Sequence, residues 1–457
     1  MLKYYLDKTG KVIKSILFPS SEFVDTEPRE GSMNPLASGA VANVMPQDAS
    51  KDNPLMTAED TERMIDAMKP IDAMTLRFEF SKKDYSPVVA GVGSAGTWTK
   101  VDSPTLNVWD WENTNTDWTE SFRGAFPDAD NGVRVIAAGD TSSVTKFRRI
   151  FAGTYTNLPA QTNYSLTARN NIIECCPFSL DGVGTGVSDA AEMFTGSYLK
   201  KPVVFDYSNV DDISISQSFA DTMITEIGDM NFSVALATGL FSRCSKLKKV
   251  GIITFDKNKL STTYGLGLFN CASSSQESVL EEVGGIRGTG NLKVMDALFG
   301  YCSSLTRVTE EIDCSSATSF NATFAGCRAI ENLPVLKNLG QSAITSTALM
   351  FSGCYKLKKH PTFDTSSVTD FHNMFVNNYE METVPDLDFS SATNVASFVR
   401  GCKKAKFGIT ETYNKFLDRG AAITSHSRAF ENCGSDTPQG RAALAQIPQS
   451  WGGLAEG

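Results

Sequence analysis

The phrase Asp-x-Ser-Ser-Val/Ala-Thr occurs four times, as "DTSSVT" at Asp140, "DCSSAT" at Asp313, "DTSSVT" at Asp364 and "DFSSAT" at Asp388. Eleven residues after each Asp stands an apolar anchor: Phe151, Phe324, Phe375 and Val399. Between them, apolar residues recur four, seven and ten places after the Asp, as in Val368, Phe371 and Met374, with Thr323 as the polar exception in the Asp313 copy. Spacings of three and four place side chains on one face of a helix, and the Asp and Ser residues before it suit a helix start, so the motif predicts turn, cap and short helix. A cysteine follows the anchor by three places at Cys244, Cys302, Cys327 and Cys354, and Asn378 takes that place after Phe375. The pieces "LKKVGIITF", "LTRVTEEID" and "METVPDLDF" read as strands that lead into the next copy.

Looser copies extend the series to Phe122, Phe151, Phe194, Phe219, Phe241, Phe269, Phe299, Phe324, Phe351, Phe375, Val399 and Phe430, mostly 22 to 31 residues apart. One such unit cannot bury its apolar face alone, and stacking identical units is how a chain solves that problem. The expected fold is an α/β repeat solenoid, irregular and leucine-rich-repeat-like, with parallel strands plus short helices and a small extended N-terminal attachment segment. The expected divisions are residues 1–80 for attachment and oligomerisation, 81–435 for about twelve repeats and 436–457 for a C-terminal cap. The "DTSSVT…MF..C..L" cadence over roughly residues 100–435 resembles the BspA-like leucine-rich repeats of bacterial surface proteins and some phage proteins. That resemblance implies a binding scaffold with no catalytic apparatus.

A second resemblance lies upstream. "EPREGSMNPLASGAVANVM", residues 27–45, is similar to the junction found near the N-termini of phage head-fibre and tail-fibre proteins. It implies an attachment junction at Gly31, Ser32, Asn34, Pro35, Ser38 and Gly39, capsid or tail proteins as partners, a homotrimer and a place in the virion, assembled in the host cytoplasm. After it, "TAEDTERMIDAMKP" predicts a helix that Thr57 caps and Pro70 ends, with Met64, Ile65 and Met68 on one face, packed either on the body or on identical helices.

Composition narrows the partners. Hydrophobic residues make up 41% of the 457 and charged residues 21%, values of a folded soluble chain. A formal charge of −10 and no visible Lys/Arg cluster argue against nucleic acid. No stretch approaches the ~20 apolar residues that span a bilayer, and "MLKYYLDKTGKVIKSILF" lacks the apolar core of a signal peptide, so neither membrane insertion nor export by the general route is expected.

Four places in the sequence invite sharper chemistry. Cys244, Cys302, Cys327 and Cys354 each occupy one repeat position and no CxxC pair exists, which reads as buried thiols rather than zinc ligands, while the adjacent Cys175 and Cys176 have no assigned role. The three histidines, His360, His372 and His426, belong to no catalytic motif, and His372 reads as a surface residue. Trp109, Trp111 and Trp118 either stack on sugars or shield the open end of the repeat core. "KLKK" at Lys246 and Lys356 reads as a solvated rim, or as a basic strip for an anionic glycan. No cofactor, metal or catalytic residue is expected. The function expected is that of a phage head or tail fibre displaying the repeats for adhesion to a host surface or glycan. The alternatives are a BspA-like bacterial adhesin and a fibre-borne polysaccharide depolymerase, whose chemistry needs only two carboxylates a few ångströms apart.

Overall fold

The computed structural model describes residues 2–6, 12–17, 58–156, 166–183, 189–206, 210, 213–261, 265–271 and 277–456. The junction residues Gly31, Ser32, Asn34, Pro35, Ser38 and Gly39, and the predicted cap Thr57, lie outside them. The chain forms two compact units: residues 1–184 with 196–210, and residues 185–195 with 211–457.

In the first unit β1 (Leu2–Leu6) and β2 (Val12–Leu17) pair antiparallel. Helix α1 (Ala58–Met68) precedes a five-stranded sheet of β3 (Thr75–Phe80), β4 (Thr97–Lys100), β5 (Asn107–Glu112), β6 (Val133–Ala138) and β9 (Ile172–Cys175), in the order β4-β5-β3-β6-β9. The hairpin β7 (Thr154–Tyr155) and β8 (Leu166–Ala168) falls in the long interval before Phe194. The helix ends where Pro70 requires, and Ala67 joins Leu106, Val108, Ile136 and Ala137 in one apolar cluster, so α1 packs on the body. Its last carbonyls are not left unsatisfied. The buried guanidinium of Arg77 donates to the carbonyls of Asp66 (2.7 Å), Lys69 (3.0 Å) and Pro70 (2.9 Å), and it holds Asp110 through two bonds of 2.7 Å. The boundary expected after residue 80 therefore needs correcting: β3 is hydrogen-bonded to both β5 and β6, and a cut there would divide the sheet at its centre.

The second unit carries short parallel strands: β10 (Glu226–Ile227) and β11 (Met230–Phe232) beside β12 (Lys249–Phe255), then β13 (Glu282–Arg287) and β14 (Arg307–Val308), with β15 (Ile312–Asp313) beside β16 (Leu336–Lys337). "METVPDLDF" contributes only the single parallel bridge Thr383 to Phe407. Isolated parallel bridges also link Ser319, Ser346, Asp370, Asn394 and Ser425 in succession.

Where the spacing predicts a short helix, the structure has a ribbon of consecutive turns. In the Phe375 copy the amides of Met374, Val376 and Asn378 bond to the carbonyls three residues back, Phe371, Asn373 and Phe375, at 3.1 to 3.3 Å. The intervening amides of Phe371, Asn373, Phe375 and Asn377 instead reach the next copy, bonding to Asn394, Ala396, Phe398 and Arg400 at 2.8 to 2.9 Å. Every backbone donor from Phe371 to Asn378 except that of His372 is accounted for by this alternation, and the His372 amide bonds to Asp370 Oδ1 at 3.1 Å. The geometry needs a left-handed residue in each turn. Two places before the anchor φ lies between 47° and 64° in all twelve copies, although only Gly239 and Gly267 are glycine there.

The ribbons stack their anchors. In the second unit, successive rings from Phe194 through Phe219, Phe241, Phe269, Phe299, Phe324, Phe351 and Phe375 lie 5.3 to 6.1 Å apart and within 20° of parallel. All are at most 2% exposed, each burial stabilising by roughly 1.5–3 kcal/mol. The C-terminal end is closed by α2 (Ile409–Arg419), α3 (Pro438–Leu444) and Trp451, whose carbonyl accepts the Phe430 amide (2.9 Å) where a further ribbon would.

Candidate binding surface

The repeat phrase itself proves to be structural at every position. Asp140, Asp313, Asp364 and Asp388 each accept the amide of the serine two places on, at 2.7 to 3.0 Å, so the Asp opens a turn rather than capping a helix. Those serine contacts, the amide first, hold the carboxyls of Asp364 and Asp388 below their ordinary range. The cysteine three places after the anchor donates its thiol hydrogen to the previous anchor's carbonyl: Cys327 to Phe299 (3.2 Å), Cys354 to Phe324 (3.1 Å) and Cys402 to Phe375 (2.9 Å). Asn378 makes the same bond to Phe351 through Nδ2 at 2.8 Å. All ten cysteines are free and buried, and burial pushes the thiols of Cys244, Cys354 and Cys402 up to about 12. Among the described residues no group of three or more His, Cys, Asp or Glu side chains is placed to hold a metal ion.

The tryptophan cluster is divided by the structure. Trp111 and Trp118 are fully buried and meet edge to face at 5.1 Å, and each ring also packs on a phenylalanine, Phe122 or Phe147. Neither offers a face to a sugar, which corrects the glycan reading for these two: an indole that fills a core is not a platform. Trp109 is half-buried, with Lys100 Nζ 5.0 Å from its ring centre and its own Nε1 bonded to Asn107.

One lysine of each lysine-rich piece pairs with a carboxylate of a neighbouring copy. Lys249 lies 3.8 Å from Glu282, and Lys358 lies 2.8 Å from Glu331 on the neighbouring copy. Further along, Lys337 pairs with Glu311 (2.8 Å), Lys404 with Glu380 (2.7 Å) and Lys406 with Glu382 (3.0 Å). These pairs link neighbouring copies along an exposed rim, and exposed pairs of this kind contribute little each.

Of the histidines, His360 is half-buried, edge-on to Phe375 at 4.8 Å and bonded through Nε2 to Asn378 Oδ1 at 3.0 Å. His372 is half-buried and pairs its Nδ1 with Asp370 Oδ1 at 2.8 Å, and His426 stacks on Trp451 at 4.0 Å. The three are thereby occupied in separate places.

What remains outward-facing is ordered by the repeat. Directly after the cysteine position come Arg328, Tyr355 and Tyr379, a row in which the guanidinium lies 5.5 Å over the Tyr355 ring and the two tyrosines stack at 4.6 Å. Beside it Tyr301, 44% exposed, leans over Gly326, where an added Cβ would meet the tyrosine ring at 2.9 Å. A second row consists of Thr318, Thr345, Thr369, Thr393 and Thr424, in which each hydroxyl after the first donates to the carbonyl of the threonine before it, at 3.1 to 3.3 Å. The sequence carried the signal for the aromatic row, since "CRAI", "CYKL" and "NYEM" align once the anchors are in register. Such rows can recognise an extended partner by many shallow contacts.

A family described as "Mycoplasma protein of unknown function, DUF285" matches residues 268–387 and, in a shifted register, 293–412. The overlap of two matches fits a repeating unit, and the matched stretch supports a BspA-like repeat protein there. It does not reach residues 27–45. No curated protein and no solved structure matches the chain.

Proposed function

We propose that the chain is a non-catalytic adhesion protein, its repeats forming an α/β solenoid of the leucine-rich-repeat-like kind whose ordered surface rows bind a bacterial surface or host-associated glycan. The observation that carries this reading is the outward row of Arg328, Tyr355 and Tyr379, set in register by the buried anchors beneath it. The family match over residues 268–412 favours the BspA-like adhesin form of the reading. Retention of the labelled full chain on bacterial cells, measured by flow cytometry, tests it. Replacing Arg328, Tyr355 and Tyr379 together by Ala lowers retention at least about tenfold with an unchanged unfolding midpoint. Equal retention by that variant and the unsubstituted chain sinks the assignment of the row.

A second reading rests on the residues "GSMNPLASGAV". In it the same repeats project from a tailed-phage particle as a trimeric head or tail fibre, attached through Gly31, Ser32, Asn34, Pro35, Ser38 and Gly39. Antibodies raised against the chain then label purified particles, and light scattering gives three times the chain mass. Unlabelled particles from cells that produce the chain reject it.

A further inference from the structure

The cysteine ladder breaks register once. In the Phe269 copy the thiol stands two places after the anchor, at Cys271, instead of three. Its amide donates to the Gly300 carbonyl at 2.8 Å, which sets Cys271 one coil spacing from residues 300–302. That spacing is about 5 Å for backbone paired in parallel, within the Cα separations that a disulfide accepts. Cys302 keeps the ladder's own contact, its thiol donating to the Phe269 carbonyl at 3.3 Å, and Cys271 donates to the same oxygen at 3.3 Å. Two thiols of adjacent coils thus converge on one acceptor.

We infer that Cys271 and Cys302 are a thiol pair which a low-molecular-weight disulfide, such as oxidised glutathione, converts into a cross-link between neighbouring coils. Cys271 is the attacking member. It is the most open of the ten cysteines, at 9% exposure, whereas Cys302 is fully buried. Its surroundings favour the thiolate: the Cys302 thiol, which turns its one hydrogen from the Phe269 carbonyl to the ionised Cys271, comes first, then the Ser278 hydroxyl and the backbone amide and charge of Arg243, and against burial they bring Cys271 down to about 7. Arg243 in turn is fixed by Asp221 at 2.9 Å. In the first step the Cys271 sulfur bonds to one sulfur of the oxidant, whose S–S bond breaks and releases one thiolate. Cys302 then attacks the Cys271 sulfur and displaces the second glutathione as thiolate; the proton of Cys302 and the proton that Cys271 gave up on ionising protonate the two glutathione thiolates. Two protein thiols are oxidised and one oxidant disulfide is reduced to two thiols.

The full reduced chain, treated with oxidised glutathione, alkylated and digested with trypsin without reduction, gives the direct test. The expected product is peptide 260–287 joined to peptide 294–307, and in a Cys302→Ala variant the reaction stops at a glutathione adduct on Cys271. Iodoacetamide labels Cys271 of the reduced native chain at least about tenfold faster than Cys354, a comparison that needs no variant. A glutathione adduct that persists on Cys271 of the unsubstituted chain, or equal labelling of Cys271 and Cys354, overturns the inference.

Discussion

Asn378 and Cys354 stand at the same place in successive copies and serve the same carbonyl position, yet they do not do equal work. The Asn378 amide donates to the carbonyls of Phe351, Phe375 and Val376 at 2.8, 3.0 and 3.4 Å, while its oxygen meets His360. Cys354 makes one weaker bond, to Phe324. Asn378→Ala should therefore cost about 2–3 kcal/mol and Cys354→Ala about 1 kcal/mol, read as shifts in urea midpoint. The imidazole beside Asn378 gives a pH signature. Burial lowers His360 from 6.5 to about 4 despite the hydrogen bond to Asn378. Because the folded value lies below the unfolded one, its contribution is complete above about pH 6.5 and is lost as pH falls from there through about 4. Urea midpoints taken at pH 7.5, 6 and 5 should decline, and a His360→Gln variant should show a flatter dependence across that window.

At the scale of the element, the twelve anchors and their apolar partners were legible because burial imposes the same spacing on a helix and on a turn ribbon. Val368, Phe371, Met374 and Phe375 are all at most 1% exposed, as one helical face would be. What the spacing does not encode is the destination of the backbone donors. In the ribbon half of them leave for the next copy, so the local pattern matches a helix while the hydrogen bonds do not. The hint lay in Ser, Thr and Asn, which compete for local backbone bonds, and in the glycines two places after the anchor, Gly326, Gly353 and Gly401, at φ of 70° to 75°. Ala297 holds φ of 52° without being glycine. Ala297→Gly should stabilise the chain by about 0.5–1 kcal/mol, since the left-handed penalty exceeds the entropy lost by glycine; a destabilised variant would contradict the turn assignment. The mixed sheet of the first unit, antiparallel except for β6 and β9, was not legible, because β3 and β5 alternate weakly: Arg77 and Glu79 are buried through ion pairs rather than turned to solvent.

For the molecule as a whole, a stacked array is only as sound as its last coil. Tyr413, Phe416 and His426 close on Trp451 at 5.5, 5.8 and 4.0 Å, covering the end of the second unit's core. Because Trp451 is half-buried, Trp451→Ala should remove about 2–3 kcal/mol from that end, below the range for a core tryptophan, and hydrogen exchange should quicken first around Phe430 and Phe398, leaving the Phe241 region protected. The anchors, most of the thiols and the Asx turns serve stacking, and in the function proposed above recognition is left to what the copies hold outward. The most direct measurement probes an array of bacterial surface polysaccharides and extracellular-matrix proteins with the labelled full chain, followed by a reducing-end assay on every polysaccharide that retains it. Saturable retention on at least one class with no new reducing ends is the predicted result. Retention on none, or release of reducing ends from the bound polysaccharide, would contradict the account of a non-catalytic adhesion scaffold.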